Sequence, residues 1–433
     1  MRIFVTAISK GVAAVGILLL NAVLARVMAA ADVGIFVMGL ALLVGLTTLA
    51  KGGLDTAALR HLAIEYKRTD RRSYRAAERA VYARVLRFGV YTTAAAEILY
   101  LLVAPAFGIA AEPAVTVFIA LVPLYTVVYL QGAQLKAVDL PQCAPLFETA
   151  GVSTLAGVVI GVAHAVGNDV SPLAAVGAYA ACTALTAGVG RAILHRRGVA
   201  SSARAPDALG GAPIDLSWSV TRGYFYNSAL TWVIQWSVVL LVGAVMSRQE
   251  AAYYSIAHRM SYAVMFVLLV FTSVLSPLYA VLHERRQREE IGTLLRNSST
   301  AICLIAGAIV LLFFVYGDDL LVALFGADYV AAYAALLILS LGQFVNASAG
   351  SNTAVLNMTG HQDTVKSAMI VAVVIIGGAT PWLGAAHGAA GAAAAVATAL
   401  ICQNIVLSFH VYRKLGILYG PFYLRVRKSP TAE

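Results

Sequence analysis

The sequence predicts an all-α integral membrane protein with about twelve transmembrane helices, arranged as two six-helix lobes around a central cavity. Composition, apolar segments and an internal repeat support this class. Of the 433 residues, 60% are hydrophobic and 12% are charged, whereas a soluble globular chain carries about a quarter charged residues. The mean hydropathy is +0.81. Because about 20 apolar residues cross a bilayer, twelve spans leave room for short loops but not for a soluble domain.

Apolar runs of spanning length recur along the whole chain and define the order of the predicted helices. The predicted spans cover residues 8–30, 33–55, 81–106, 114–135, 143–166, 172–194, 217–246, 252–281, 298–316, 329–357, 366–386 and 388–412.

The distribution of basic residues predicts the orientation of these spans. When alternate loops are assigned to opposite sides, one side receives 24 of the 31 basic residues, and the loops of the other side hold only Arg248. The positive-inside rule then places both termini in the cytoplasm. The formal net charge of +10 follows from this topology, so we expect no nucleic-acid partner.

An internal repeat supports the two-lobe arrangement. The segment Asp32-Val-Gly-Ile-Phe precedes a long span and a charged loop, and Glu250-Ala-Ala-Tyr-Tyr does the same about half a chain later. Two halves in the same orientation are typical of parallel transporter repeats. The predicted organisation is an N-terminal lobe at 1–194, a cytoplasmic linker at 195–216, a C-terminal lobe at 217–412 and a basic cytoplasmic tail at 413–433.

Charged residues within the spans are candidates for function, because a charge at the centre of a span costs about 3 kcal/mol. Arg259 lies two turns into the eighth span, roughly 10 Å from its outer end, which makes it the best candidate for a cavity cation. Arg26 and Arg222 lie near span ends and could reach the interface instead. Lys51 and Asp55 are spaced i,i+4, so mutual neutralisation competes with a transport role.

Polar residues inside three spans indicate either a wet path or contacts between helices. Glu97, in the third span, is interpreted either as a cation-coupling site or as a buried neutral carboxyl. In the seventh span we favour cavity lining by Tyr224, Asn227, Thr231 and Gln235. In the tenth span we favour bonding between helices by Gln343, Asn346, Gly350, Thr353 and Asn357.

The sequence lacks the motifs of the common enzyme classes. It contains no P-loop, no nucleophile elbow and no histidine cluster with metal-ligand spacing. The four cysteines lie singly in apolar stretches and are interpreted as packing residues. We therefore expect no cofactor, no metal, no catalytic residue and no enzymatic activity.

Several short segments together resemble a known family of exporters. They are Asn21-Ala-Val-Leu-Ala-Arg26, Asp32-Val-Gly-Ile-Phe, Gly52-Gly-Leu-Asp-Thr-Ala-Ala-Leu-Arg60, Phe325-Gly-Ala-Asp-Tyr, Leu356-Asn-Met-Thr-Gly360-His-Gln and Gly388-Ala-Ala-Gly-Ala-Ala-Ala-Ala-Val-Ala-Thr. In order and spacing, over essentially the whole chain, these segments resemble the polysaccharide-transporter branch of the multidrug, oligosaccharidyl-lipid and polysaccharide (MOP) exporter superfamily. That branch includes the O-antigen-unit flippases of bacteria.

The resemblance implies a flippase of the bacterial inner membrane. Its substrate would be a polyprenyl-diphosphate-linked oligosaccharide, an O-antigen or exopolysaccharide repeat unit, moved from the cytoplasmic to the periplasmic leaflet by alternating access. Its partners would be this lipid-linked oligosaccharide, membrane lipid, a polysaccharide polymerase and glycosyltransferases. The resemblance also implies a cationic cavity lined by the first, second, seventh and eighth spans, and the matching cations are Arg26, Lys51, Arg60, Arg222 and Arg259.

Other functions remain open from the sequence. A cation-coupled multidrug exporter of the same superfamily would use Asp55 or Glu97 for ion coupling. A lipid II flippase would carry two extra spans and a more strongly basic cavity. A membrane scaffold without transport would make no use of the cavity charges.

Overall fold

The computed structural model describes residues 2–421 apart from 57, 60, 61, 63–65, 67–70, 107–111, 139, 141, 148–150 and 201–217, and the regular structure in this part of the chain is helical. The helices are α1 (Arg2–Val27), α2 (Ala30–Lys51), α3 (Arg71–Ala106), α4 (Pro113–Ala120), α5 (Val122–Ala137), α6 (Gly151–Ala165), α7 (Pro172–Ala200), α8 (Trp218–Trp232), α9 (Val238–Val245), α10 (Arg248–Glu284), α11 (Arg288–Phe325), α12 (Tyr333–Ser348), α13 (Asn352–Met358) and α14 (Gln362–Leu415). A π-helical turn, Val233–Ser237, joins α8 to α9, and a 3₁₀ turn, Ala327–Ala332, precedes α12.

Eight of the described helices are long and apolar enough to cross a membrane by themselves, and the pair α4 and α5, bent by 45°, makes a ninth if it is one span. Shorter apolar helices lie at Val15–Val27 and Gly151–Ala165. The 54 residues of α14 would extend roughly 81 Å as one helix, far more than a bilayer core of about 30 Å. Non-helical His387 and Gly388 divide α14 into two spans. The predicted all-α membrane class is confirmed.

The chain forms two compact units, and unit 1 comprises Met1–Ile256 with Leu321–Val330. Its core contains an aromatic cluster in which the Phe36 ring centroid lies 5.2 Å from that of Phe118 and 5.9 Å from that of Tyr179. All three side chains are fully buried. Edge-to-face pairs of this kind contribute about 0.5–1.5 kcal/mol beyond their buried area. The cluster therefore fixes α2 against α4 and α7.

Unit 2 comprises Ala257–Leu320 with Ala331–Glu433. Its core cluster joins α10, α11, α13 and α14 through Tyr279, Leu295, Val355, Leu407 and Val411, all of which are buried. Because lipid is as apolar as these side chains, packing and hydrogen bonds hold such helices together rather than the hydrophobic effect.

Some helices present apolar surfaces typical of lipid contact. In unit 1, α3 exposes Leu86, Phe88, Val90, Ile98, Leu99 and Leu102. In unit 2, α11 exposes Leu304, Ile305, Leu311, Leu312, Phe314 and Val315. Faces composed of such residues are what the hydrocarbon core of a bilayer requires.

The predicted tenth span differs from the structure. It covers 329–357 but is not one continuous helix, because Gly350 has a φ of 67° and separates α12 from α13. The predicted C-terminal lobe begins at residue 217, whereas α8 and α9 belong to unit 1. Residues 201–216 of the predicted linker and 422–433 of the tail lie outside the described residues. The lobe boundaries stay a prediction.

Candidate functional site

Gly53, which follows α2, allows the start of the seventh span to pack closely against it. At Gly53, the carbonyl oxygen of Thr221 lies 2.6 Å, and the backbone nitrogen of Phe225 2.8 Å, from the position that a Cβ atom would occupy. Gly53 also has a φ of 79°, a conformation that other residues rarely adopt. Only glycine therefore allows α8 to approach this turn so closely.

Further contacts hold the seventh span along the length of α2. The Trp232 ring lies 2.5 Å from the position of a Cβ at Gly45, and its Nε1–H donates a hydrogen bond of 3.1 Å to the carbonyl of Ala41. At the other end of α2, the backbone of Arg248 packs against Gly34. The two spans are thus antiparallel, and small residues of α2 allow their close packing.

The opposite face of α8 is exposed and contrasts with the lipid-facing surfaces of α3 and α11. Its exposed residues are Trp218, Ser219, Arg222, Gly223, Tyr226 and Asn227. None of these is aliphatic, and a guanidinium and an amide lie among them. Because lipid contact disfavours such groups, we interpret this face as one that meets water. Of the predicted site residues, it contains Arg222 and Asn227.

A π-helical turn interrupts the predicted polar stripe of the seventh span. Gln235 lies within this turn and is half-buried, as are Tyr224 and Thr231. The Thr231 hydroxyl donates a hydrogen bond of 2.8 Å to the carbonyl of Asn227 on its own helix. The extra residue in a π turn shifts later side chains around the helix axis. The four predicted polar residues therefore do not form one straight stripe, which a 3.6-residue period had suggested.

Lys51 and Asp55 form a largely buried ion pair. The Lys51 Nζ lies 2.7 Å from Asp55 Oδ2, and the two side chains are 11% and 18% exposed. The same ammonium lies 4.7 Å from the centroid of the Tyr129 ring. The second carboxylate oxygen of Asp55 is buried and has no hydrogen-bond partner among the described residues. The structure shows the ion pair that the spacing of Lys51 and Asp55 predicts. A transport role for either residue stays a prediction.

Arg26 binds the last turn of α11, which is the part of that helix that belongs to unit 1. Its Nε donates a hydrogen bond of 3.1 Å to the carbonyl of Leu324, and its Nη2 donates to the carbonyl of Ala323. Both carbonyls belong to the last turn of α11, which lacks intrahelical donors. A cation there also interacts favourably with the helix dipole. Arg26 thus caps α11, although its side chain is exposed.

The remaining predicted cations differ in their surroundings. Arg259 is half-buried on α10 in unit 2 and directly follows the buried His258. Arg60 lies outside the described residues. Within unit 1, the structure brings Lys51 and Asp55 together. It places Arg222 on the exposed face of α8 and Arg26 at the end of α11.

Glu97 lies on the third span, and its Oε2 atom is buried without a hydrogen-bond partner among the described residues. Its neighbours on the same helix have other partners. The Thr93 hydroxyl donates to the carbonyl of Ile119 at 3.3 Å, and the Tyr100 hydroxyl accepts the backbone N–H of Glu112 at 2.9 Å. Both interpretations of Glu97, as a cation-coupling site and as a buried neutral carboxyl, stay predictions.

Sequence reasoning missed a polar cluster that joins the third, fourth and sixth spans. Gln134 accepts a hydrogen bond of 2.7 Å from the Tyr82 hydroxyl and donates one of 3.4 Å to Glu78. Glu78 is also 3.2 Å from a guanidinium nitrogen of Arg191. The i,i+4 spacing of Glu78 and Tyr82 was the available signal, but the partners on α5 and α7 have no signature in the sequence.

In unit 2, an amide network connects α12, α13 and α14. Asn404 donates a hydrogen bond of 2.9 Å to Asn346 and accepts one of 3.0 Å from Asn352. Asn346 in turn donates to Gln343 at 3.3 Å. The prediction that Gln343 and Asn346 bond helix to helix is confirmed for Asn346. The partner Asn404 was not foreseen.

Comparisons with known proteins agree with this architecture. A family model described as "Polysaccharide biosynthesis protein" matches residues 23–334. A search of curated proteins found no match.

Among solved structures, the chain is similar to a lipid II flippase MurJ in an inward closed conformation, with a TM-score of 0.67 and 12% identity, covering 94% of this chain and 87% of that one. It is also similar to an inward-facing multidrug resistance MATE family transporter of the MOP superfamily, with a TM-score of 0.65 and 12% identity, covering 93% and 94%. A MOP superfamily transporter from Pyrococcus furiosus gives a TM-score of 0.56 at 14% identity, covering 96% and 94%.

These likenesses to solved structures show the fold, and the family model shows the family, because it spans well over half of the chain. The chain therefore belongs to the polysaccharide biosynthesis protein family and has the fold of the MOP-superfamily transporters.

Proposed function

We propose that this protein is a flippase, not an enzyme, which moves a polyprenyl-diphosphate-linked oligosaccharide from the cytoplasmic to the periplasmic leaflet by alternating access. The oligosaccharide would be an O-antigen or exopolysaccharide repeat unit. The observation that carries the proposal is the exposed, non-aliphatic face of α8 with Arg222, in a member of a polysaccharide biosynthesis family. A guanidinium offers a diphosphate paired, charge-assisted hydrogen bonds.

The other predicted cations enter the proposal with different weights. Arg222 is exposed on α8, so we assign it the main role in binding the diphosphate. Arg259, which is half-buried on α10, enters the proposal as a cation that the resemblance implies. Lys51 and Arg26 have protein partners at 2.7 Å and 3.1 Å, and they would have to exchange these partners to bind substrate. Arg60 stays a candidate cavity cation that the resemblance to the exporter family implies.

A driving force independent of ATP is consistent with this substrate. The interior of a bacterial cell is negative, so outward movement of each negative charge is favoured by about 2.3 kcal/mol per 100 mV. We propose that the protein lies in the bacterial inner membrane with both termini in the cytoplasm. A polysaccharide polymerase and glycosyltransferases would be its partners in the pathway.

A second candidate is a cation-coupled exporter of the same superfamily. The buried oxygens of Glu97 and Asp55 that lack hydrogen-bond partners among the described residues favour it, since such atoms can accept a proton or a cation. A lipid II flippase is the third candidate function. Its substrate is also a lipid-linked diphosphate, so cations would bind its headgroup in the same way.

The test is leaflet exchange by the full-length protein in liposomes. Fluorescent polyprenyl-diphosphate disaccharide is the probe, and an imposed potential, negative on the cytoplasmic side, provides the driving force. We expect exchange that Arg259→Gln and Arg222→Gln each reduce at least tenfold, while Arg413→Gln, on the exposed last turn of α14, leaves it unchanged. If neither Arg259→Gln nor Arg222→Gln changes the rate of leaflet exchange, the flippase proposal is rejected. If the protein exports a dye and Glu97→Gln abolishes this efflux, the cation-coupled exporter is the better assignment.

A further inference from the structure

Three aromatic rings form a cluster at the start of the seventh span. The centroid of the Trp218 ring lies 5.3 Å from that of Phe225 and 6.2 Å from that of Tyr226, and the Phe225 and Tyr226 centroids are 5.8 Å apart. Trp218 and Tyr226 are nevertheless 51% and 55% exposed. The rings support one another from within the cluster and leave ring surface open.

The cluster shares its side of α8 with a cation. Trp218, Arg222 and Tyr226 follow one another at four-residue steps, so their side chains are neighbours along one face of the helix. One step of four residues is about 6 Å along the helix axis. Arg222 thus shares this face of the helix with the two exposed aromatic residues.

The backbone beneath this face is fixed. Phe225 and Thr221 are the residues whose backbone atoms pack against Gly53 at the end of α2, and Thr221 is 3% exposed. The exposed side of α8 is therefore presented by a helix that cannot easily rotate. Preorganised groups of this kind lose little entropy when they bind a ligand.

We propose that Trp218, Phe225 and Tyr226 form a sugar-binding platform, and that it holds the first sugars of the lipid-linked oligosaccharide while Arg222 binds the adjacent diphosphate. This inference rests on the proposed function. The C–H faces of a pyranose ring are apolar and carry a partial positive charge, which complements the negative face of an aromatic ring. Aromatic rings beside a cation on one helix face suit a ligand in which a sugar is joined directly to a diphosphate.

The competing occupant is an ordinary lipid headgroup. Trp and Tyr are enriched at membrane interfaces, where they anchor helices without any specific ligand. The two occupants differ in one measurable respect, because only a sugar-binding platform distinguishes a glycosylated diphosphate from a bare one.

The experiment measures the Kd of the full-length protein in nanodiscs for two probes. These are farnesyl diphosphate and farnesyl diphosphate that carries a disaccharide of N-acetylglucosamine. We expect Trp218→Ala and Tyr226→Ala to weaken binding of the glycosylated probe about tenfold, and to change binding of farnesyl diphosphate less than twofold. Trp218→Phe should retain most of the affinity. Arg222→Gln should weaken both probes, and the matched control Trp382→Ala, at a 75% exposed tryptophan of unit 2, neither.

Three results would overturn the assignment. If Trp218→Ala weakens both probes equally, the ring anchors the helix in the interface. If Trp218→Ala and Tyr226→Ala change neither affinity while the wild-type protein binds both probes, the platform does not exist, but the proposed diphosphate site stands. If the wild-type protein binds neither probe, the proposed function fails and the platform fails with it.

Discussion

The ammonium of Lys51 lies 2.7 Å from a carboxylate oxygen of Asp55, although α2 ends between them at Gly52 and Gly53. Their i,i+4 spacing suggests one face of a continuous helix, but the helix ends between the two residues. The turn bends the chain so that the carboxylate reaches back to the last residue of α2. A lysine this deeply buried needs such a partner, because an unpaired buried charge is far more costly than a paired one.

The first prediction concerns this ion pair. Asp55→Leu and Lys51→Met, made singly, should each destabilise the protein by about 2–4 kcal/mol, since each leaves the opposite charge buried and unpaired. The double variant should be more stable than either single variant. The melting temperature of the purified protein and a double-mutant cycle provide the measurement.

The same variants test whether Lys51 has a transport role. If the pair is structural, the double variant also regains leaflet exchange. If the double variant is stable but inactive, Lys51 binds substrate in the transport cycle, and the structural interpretation is wrong.

The second prediction concerns the close approach of α8 to α2. Gly53→Ala would place a Cβ 2.6 Å from the Thr221 carbonyl, at a φ of 79°. We expect it to lower stability by about 2 kcal/mol or more, because the clash and the strained backbone add. The matched control is Gly377→Ala, in the middle of α14, where a Cβ meets nothing within 4 Å. Alanine there should keep or raise the melting temperature, since it favours a helix.

Equal melting temperatures for the two glycine variants would show that the seventh span is free to move away from Gly53. In that case the rigid presentation of Arg222 and its aromatic neighbours would no longer hold.

The third prediction concerns Arg26 at the end of α11. Arg26→Gln removes a charged cap from the carbonyls of Ala323 and Leu324, which should cost about 0.5–1 kcal/mol. We expect a fall in melting temperature of about 1–2 °C, with leaflet exchange per folded molecule unchanged. A tenfold loss of exchange at an unchanged melting temperature would instead make Arg26 a substrate ligand.

Sequence reasoning captured what depends on local spacing and composition. The apolar runs predicted the transmembrane segments, and the i,i+4 spacing predicted that Lys51 and Asp55 form an ion pair. Contacts between residues that are distant in the chain were not predicted, because nothing in the sequence marks such partners. Arg26 finds its carbonyls 297 and 298 residues away, and Glu78 finds Arg191 113 residues away.

Breaks inside helices were not predicted for a different reason. A pattern of side chains with a regular helical period does not reveal the π turn at Val233–Ser237 or the interruption at Gly350. The pattern of apolar residues continues across both breaks and therefore does not mark them. The polar stripes of the seventh and tenth spans were thus found, but their geometry was not.

The fourth prediction concerns the amide network of unit 2. Asn404→Ala leaves the Nδ2 of Asn352 and the Oδ1 of Asn346 without their shared partner. Hydrogen bonds between membrane helices contribute about 0.6 kcal/mol on average and at most about 1.7, so losing two should cost about 1–2 kcal/mol. The matched control is Gln403→Ala, one residue earlier on the same helix and half-buried. Because Asn352 begins the helix that follows the Gly350 break, the loss should also speed hydrogen exchange in α13 selectively. Identical melting temperatures and exchange rates for the two variants would mean that apolar packing alone, through residues such as Val355, holds the broken tenth span in place.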